Sequence, residues 1–134
     1  MNVLFEEDGG FKAGSIMADN DSSLQVEMPS GKRSKIKAAT VLLRFEKPSS
    51  TALLEQAAPL AEEIEADFLW ECVNDGEFSF LDFARDYYGH EPAPVEATAV
   101  LLALHAAPVY FHRKGRGRFR KAPADILAAA LAGL

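Results

Sequence analysis

The sequence predicts an α+β protein in two parts, residues 1–47 and 48–134, and three observations predict it. From Asn2 to Phe45, short runs rich in Val, Ile, Leu and Phe are parted by turn-forming residues. After Pro48 the apolar spacing changes to three and four, the period of a helix. Beyond Pro108 it changes again, to strand, turn and strand, ahead of a last helix. With 134 residues, 49% hydrophobic and 25% charged, the chain is long enough to bury a modest core.

In the first part, Asp8-Gly9-Gly10, Asp19-Asn20-Asp21 and Pro29-Ser30-Gly31 are the turns. Leu24, Val26 and Met28 alternate with Gln25 and Glu27, as in a strand buried on one face. Ile36 points one way while Arg33, Lys35 and Lys37 point the other, so pleating sets three cations in a row, beside Lys32. Four or five short strands in this length predict a small SH3-like β-barrel.

In the second part, Leu53, Ala57, Leu60, Ala61 and Ile64 form one helical stripe, capped by Ser49 or Ser50. The unit DFLWECV supplies Phe68, Trp70 and Val73 to the core. Ser79 with Asp82 is a capping-box variant ahead of the stripe Phe80, Phe83, Ala84 and Tyr87. Pro94 suits the first turn of the next helix, with Ala97, Val100, Leu101 and Leu104 inward. Val109 and Phe111 then share one strand face, Tyr110 and His112 the other. Gly115 and Gly117 let the chain reverse, and Phe119 is the apolar anchor of the return strand. Three helices and a hairpin predict a winged-helix-like module with a C-terminal helix from Pro123. The chain stops on an apolar stripe, Leu131 and Leu134. That reads as the N-terminal piece of a longer protein, against a complete one with a docked last helix.

Charge carries the functional expectation. The chain holds 14 Lys+Arg against 20 Asp+Glu, a net charge of −6. Yet RKGRGRFRK gathers Arg113, Lys114, Arg116, Arg118, Arg120 and Lys121, while residues 55–96 hold twelve acids against Arg85 alone. Net charge repels a polyanion at long range, but screening over about 8 Å at physiological salt lets a local patch win at contact. The run is therefore expected to bind nucleic-acid phosphates, with the cations at 32–37 as a second patch. Six engaged phosphates on a single strand would give a log–log salt slope of roughly −4. Tyr110 and His112 are candidates for base stacking, and Phe119 is expected in the core. The helix PVEATAVLLALHAA lacks Arg, Lys, Asn and Gln, so it is not expected to read DNA bases.

No catalytic constellation and no metal site is expected. His90, His105, His112 and Cys72 lack ligand spacing, and His105 is explained by a helix C-terminus. Cys72 is expected to be a small buried residue, and as the sole cysteine it cannot form an internal disulfide. Asp19-Asn20-Asp21 lacks the later glycine and glutamate of a calcium loop. Without a signal segment or a bilayer-length apolar run, the protein is expected in the cytoplasm.

The stretch LFEEDGGFKAGSIMADNDSSLQVEMPSGKRSKIKAATVLLRF, then DFLWEC, then YFHRKGRGRFRKAP resembles the N-terminal region of exoribonuclease II proteins of the RNB family. The resemblance is to a bacterial subgroup and runs from Met1 to near Leu134, with three separated motifs in the family's order. It implies a parent enzyme that degrades RNA processively from the 3′ end to nucleoside monophosphates. Such enzymes use magnesium held by aspartates of a central domain, which has no counterpart here; Asp19 and Asp21 do not match it. This region would then be an accessory module that guides single-stranded RNA to the remaining nuclease domains of the same chain. Two rivals stand beside it. One is a docking module whose acidic helices pack on the nuclease core and gate RNA entry; the other is a free-standing winged-helix DNA-binding protein.

Overall fold

A computed structural model describes residues 1–133. Five antiparallel strands come first: β1 (Asn2–Glu7), β2 (Gly10–Asp19), β3 (Ser23–Glu27), β4 (Arg33–Lys37) and β5 (Val41–Phe45). They form one sheet in the order β4-β3-β2-β1-β5, so β4 and β5 are its edges and no ladder joins them among the described residues. Asp8 and Gly9, at φ 54° and 75°, make the two-residue turn that sets the β1–β2 register. At Asp19-Asn20-Asp21 the Asp19 carboxylate accepts from the Asp21 amide at 3.0 Å, the self-bonded turn typical of aspartate.

Both faces of this sheet carry apolar side chains. Val3, Phe5, Leu24, Val26 and Ile36 cluster on one face. Leu4, Ala13 and Phe45, on the other, join the larger cluster built by the helices. One sheet thus supports two layers, because β1 alternates buried residues to both sides.

The helices are α1 (Ser50–Glu62), α2 (Ala66–Cys72), α3 (Phe80–Tyr88), α4 (Pro94–His105) and α5 (Ala124–Ala132). Ser49 Oγ accepts from the Ala52 amide at 3.2 Å and Ser79 Oγ from the Asp82 amide at 3.1 Å, capping α1 and α3. Pro94 opens α4, and the Glu96 carboxylate accepts from the Ala93 amide at 2.9 Å. Helix α4 is the centre of the molecule, packed against α1 and α3, with Ala97–Leu101, Ala103 and Leu104 all buried. The Thr98 hydroxyl, buried among them, donates to the Pro94 carbonyl at 2.7 Å.

A second sheet joins β6 (Glu77–Ser79), β7 (Phe111–Gly115) and β8 (Arg118–Lys121) in the order β6-β8-β7. The expected hairpin is there, with Phe111 and Phe119 buried. Strand β6 was not foreseen: three residues beside a glycine give no readable alternation. Two core assignments are corrected. Phe68 is 57% exposed and Tyr87 38% exposed, and Leu69 is the buried residue of α2. In α5 Leu127 is buried and Leu131 exposed, while Leu134 lies outside the described residues. No helix among the described residues is long and apolar enough to cross a membrane.

Candidate nucleic-acid interface

The basic run forms β7, a glycine-jointed turn and β8. Gly115, Arg116 and Gly117 have φ of 80°, 54° and 69°, so three successive left-handed residues reverse the chain. The turn is anchored rather than free. Gly117 is buried, and its carbonyl accepts from the Phe80 amide at 2.9 Å, satisfying a donor at the start of α3.

Folding sorts the six cations. Lys121 is committed internally: its ammonium donates to the carbonyls of Trp70 (3.2 Å) and Val73 (2.9 Å) at the end of α2. It also lies 4.3 Å from the Trp70 ring centre, and Trp70 Nε1 donates to the Ala122 carbonyl at 2.9 Å. Arg118 pairs with Glu77 across the β6–β8 ladder at 3.1 Å. Arg113 leans on the end of α4, 3.5 Å from the His105 carbonyl, and keeps an exposed side chain. Lys114, Arg116 and Arg120 are exposed and make no ion pair among the described residues. Tyr110 is half-buried against the main cluster, and His112 is half-buried on β7, paired with Arg120 on β8.

The second patch sits on edge strand β4. Arg33, Lys35 and Lys37 are exposed on one face while Ile36 is buried on the other, and Lys32 is exposed just before the strand. Arg33 lies 3.4 Å from Glu27; the three lysines have no such partner among the described residues.

Helix α4, the element that would enter a DNA groove, is enclosed by its neighbours and carries no Lys or Arg. Among the described residues no three His, Cys, Asp or Glu side chains converge as a metal holder. Two expectations about single residues are corrected. Cys72 is exposed, at the end of the short helix α2. At His105 the shift runs against the helix dipole: burial pushes its pKa down, with Arg113 adding to the push against Glu6 and the Gly9 backbone. Its ring packs edge-on against Phe11, with centres 4.7 Å apart.

Compared with protein-family models, curated proteins and solved structures, the chain finds no match in any of the three.

The sequence missed the locking role of Lys121 and the pairing of Arg118. Trp70 and Glu77 lie 51 and 41 residues from these partners, and no local pattern links them.

Proposed function

We propose that this chain is the RNA-facing N-terminal region of an RNB-type 3′–5′ exoribonuclease in the cytoplasm, guiding single-stranded RNA toward catalytic domains it does not contain. The observation that carries the reading is the hairpin, where Lys114, Arg116 and Arg120 stand exposed, beside Arg113, without carboxylate partners among the described residues. The lysines of β4 offer a second contact. The strand order β4-β3-β2-β1-β5 supports an SH3-like sheet, as does Arg44 of β5 reaching Asp19 of β2 at 3.1 Å. The order β6-β8-β7, with a short strand ahead of α3 joining the hairpin, supports a winged helix used as scaffold. The enclosure of α4 counts against base reading in DNA.

The described residues do not supply a magnesium donor set, so no step runs through the metal here. With Arg118 paired to Glu77 at the surface and Lys121 tied to backbone carbonyls, four cations remain for phosphates, and the expected log–log salt slope is roughly −3. Fluorescence anisotropy with a labelled single-stranded oligoribonucleotide over a salt series measures it. Reversing Lys114, Arg116 and Arg120 to Glu is expected to weaken binding by more than about tenfold. Equal affinity of the reversed variant and the parent would overturn the reading.

A further inference from the structure

The end of α2, the loop to β6 and one side of α3 enclose a groove of about 560 Å³, within the size range of ligand sites. Its floor is apolar, with Val73 and Phe83 buried and Phe78 half-buried. Phe68 and Tyr87 stand exposed at its walls. Phe83 and Tyr87 lie nearly parallel, 29° between planes and 6.3 Å between centres, one turn apart on α3. Four carboxylates line the rim: Asp75, Glu77, Asp82 and Asp86. No Lys or Arg lines it.

Exposed rings that continue into an apolar floor form a contiguous patch, the mark of an interaction site rather than of scattered surface residues. The charges narrow its occupant. Asp82 and Asp86 are four apart on one helix face, where like charges repel. Arg85 serves Asp82 and Glu91, at 2.8 Å each, and Glu77 is held by Arg118. Asp75 and Asp86 have no ion-pair partner among the described residues. A nucleic-acid backbone is repelled by such a rim. The chain's own basic run does not supply the occupant, because its one aromatic residue, Phe119, is 3% exposed and held in the core.

We propose that this groove captures a short Lys/Arg-bearing segment of a partner protein, with one aromatic or branched aliphatic side chain seated on Phe78 and Phe83 and its cations against Asp75 and Asp86. The faces of Phe68 and Tyr87 add cation–π contact, which favours arginine. The site lies apart from the hairpin's turn and meets the hairpin along the β6–β8 ladder, through the Glu77–Arg118 pair and the Phe78–Phe119 contact. Its test therefore fails or succeeds independently of the RNA reading.

Random peptides displayed on phage are selected on the whole chain, and enriched sequences are synthesised and titrated by anisotropy. The expected result is enrichment of two or more Lys/Arg around an aromatic or aliphatic residue, with affinity falling as salt rises. Phe68→Ser combined with Asp86→Asn is expected to weaken these peptides by about tenfold or more. Both positions are exposed, and an unchanged circular dichroism spectrum verifies the fold. Reversal of Lys114 and Arg116, which lie off the β6–β8 ladder, should leave peptide affinity unchanged, and the groove variant should leave RNA affinity unchanged. Failure to enrich any sequence, enrichment of acidic or uncharged ones, or full affinity in the groove variant would overturn the proposal. So would transfer of the loss to the hairpin variant, or complete displacement of the peptides by benzyltrimethylammonium, which would mark a site for small cations.

Discussion

His105 sits in the last turn of α4, where the helix dipole favours an imidazolium. The fold reverses that preference by burying the ring against Phe11 and bringing Arg113 alongside, so its pKa falls below the ordinary 6.5. The unfolded chain then binds the proton more tightly than the folded one. Stability from the neutral ring is full above pH 6.5 and is lost as pH falls through the lowered folded value. Between neutral pH and pH of about 5.5, the Tm of the parent is expected to drop further than that of His105→Gln. Equal drops would show that His105 is not the group. Asp19 and Glu91, whose pKa values are also held low, act in a separate window below 3.8 and 4.5. The position of His105 on a helix was legible in the sequence. The sign of its shift was not, because Phe11 and Arg113 come from other elements. The same limit explains Cys72 and Lys121. An apolar neighbourhood in sequence reads as burial for the first, and a basic run reads as solvated charge for the second. Only packing shows one exposed and the other tied to Trp70.

At the scale of elements, strands β3 and β4 were legible because alternation survives wherever one sheet face is buried: Leu24, Val26 and Ile36 point inward, Lys35 and Lys37 outward. The helical stripes of α1 and α4 were legible for the parallel reason. Helix α3 was only half legible, since Tyr87 continues the 3–4 spacing of its stripe yet lies beyond the core and walls the groove. The hairpin shows the physical limit of reading a glycine. Gly115 and Gly117 are identical in sequence and nearly so in φ, at 80° and 69°. A Cβ on Gly115 would meet open space, whereas one on Gly117 would lie 2.7 Å from Phe80 Cδ1 and 3.4 Å from Leu42 Cδ2. Gly115→Ala is therefore expected to cost about 1 kcal/mol, from backbone strain alone. Gly117→Ala adds overpacking and is expected to cost about 3 kcal/mol in total. Urea denaturation of the two variants measures the difference. Equal midpoints would mean that the hairpin does not rest on Phe80 and Leu42.

Across the whole molecule, the change of period after Pro48 was legible, and it reads as a seam between two parts. Packing tells more than the period does, because burial on both faces of β1 carries the apolar cluster across that point. Leu4 is fully buried, with Ala13 and Phe45 beside it, in the same cluster as Leu53 of α1, Leu101 of α4 and Phe111 of β7. A sheet whose outer face supports the helices cannot lose a side chain there without the helices losing contacts too. Leu4→Ala leaves a cavity at this junction and is expected to cost about 3 kcal/mol. For a domain of this size that lowers Tm by roughly 10 °C. The sole tryptophan, Trp70, is locked to the second sheet through Ala122 and Lys121 and shares the cluster, so its fluorescence reports on the helical side. If the folding unit is shared, the Trp70 transition moves with the Leu4→Ala substitution and coincides with the transition seen by far-UV circular dichroism. A Trp70 midpoint that stays in place while the dichroism transition broadens or splits would show two units that unfold separately. In that case the groove and the basic hairpin would belong to a module independent of the sheet that carries the second cationic row.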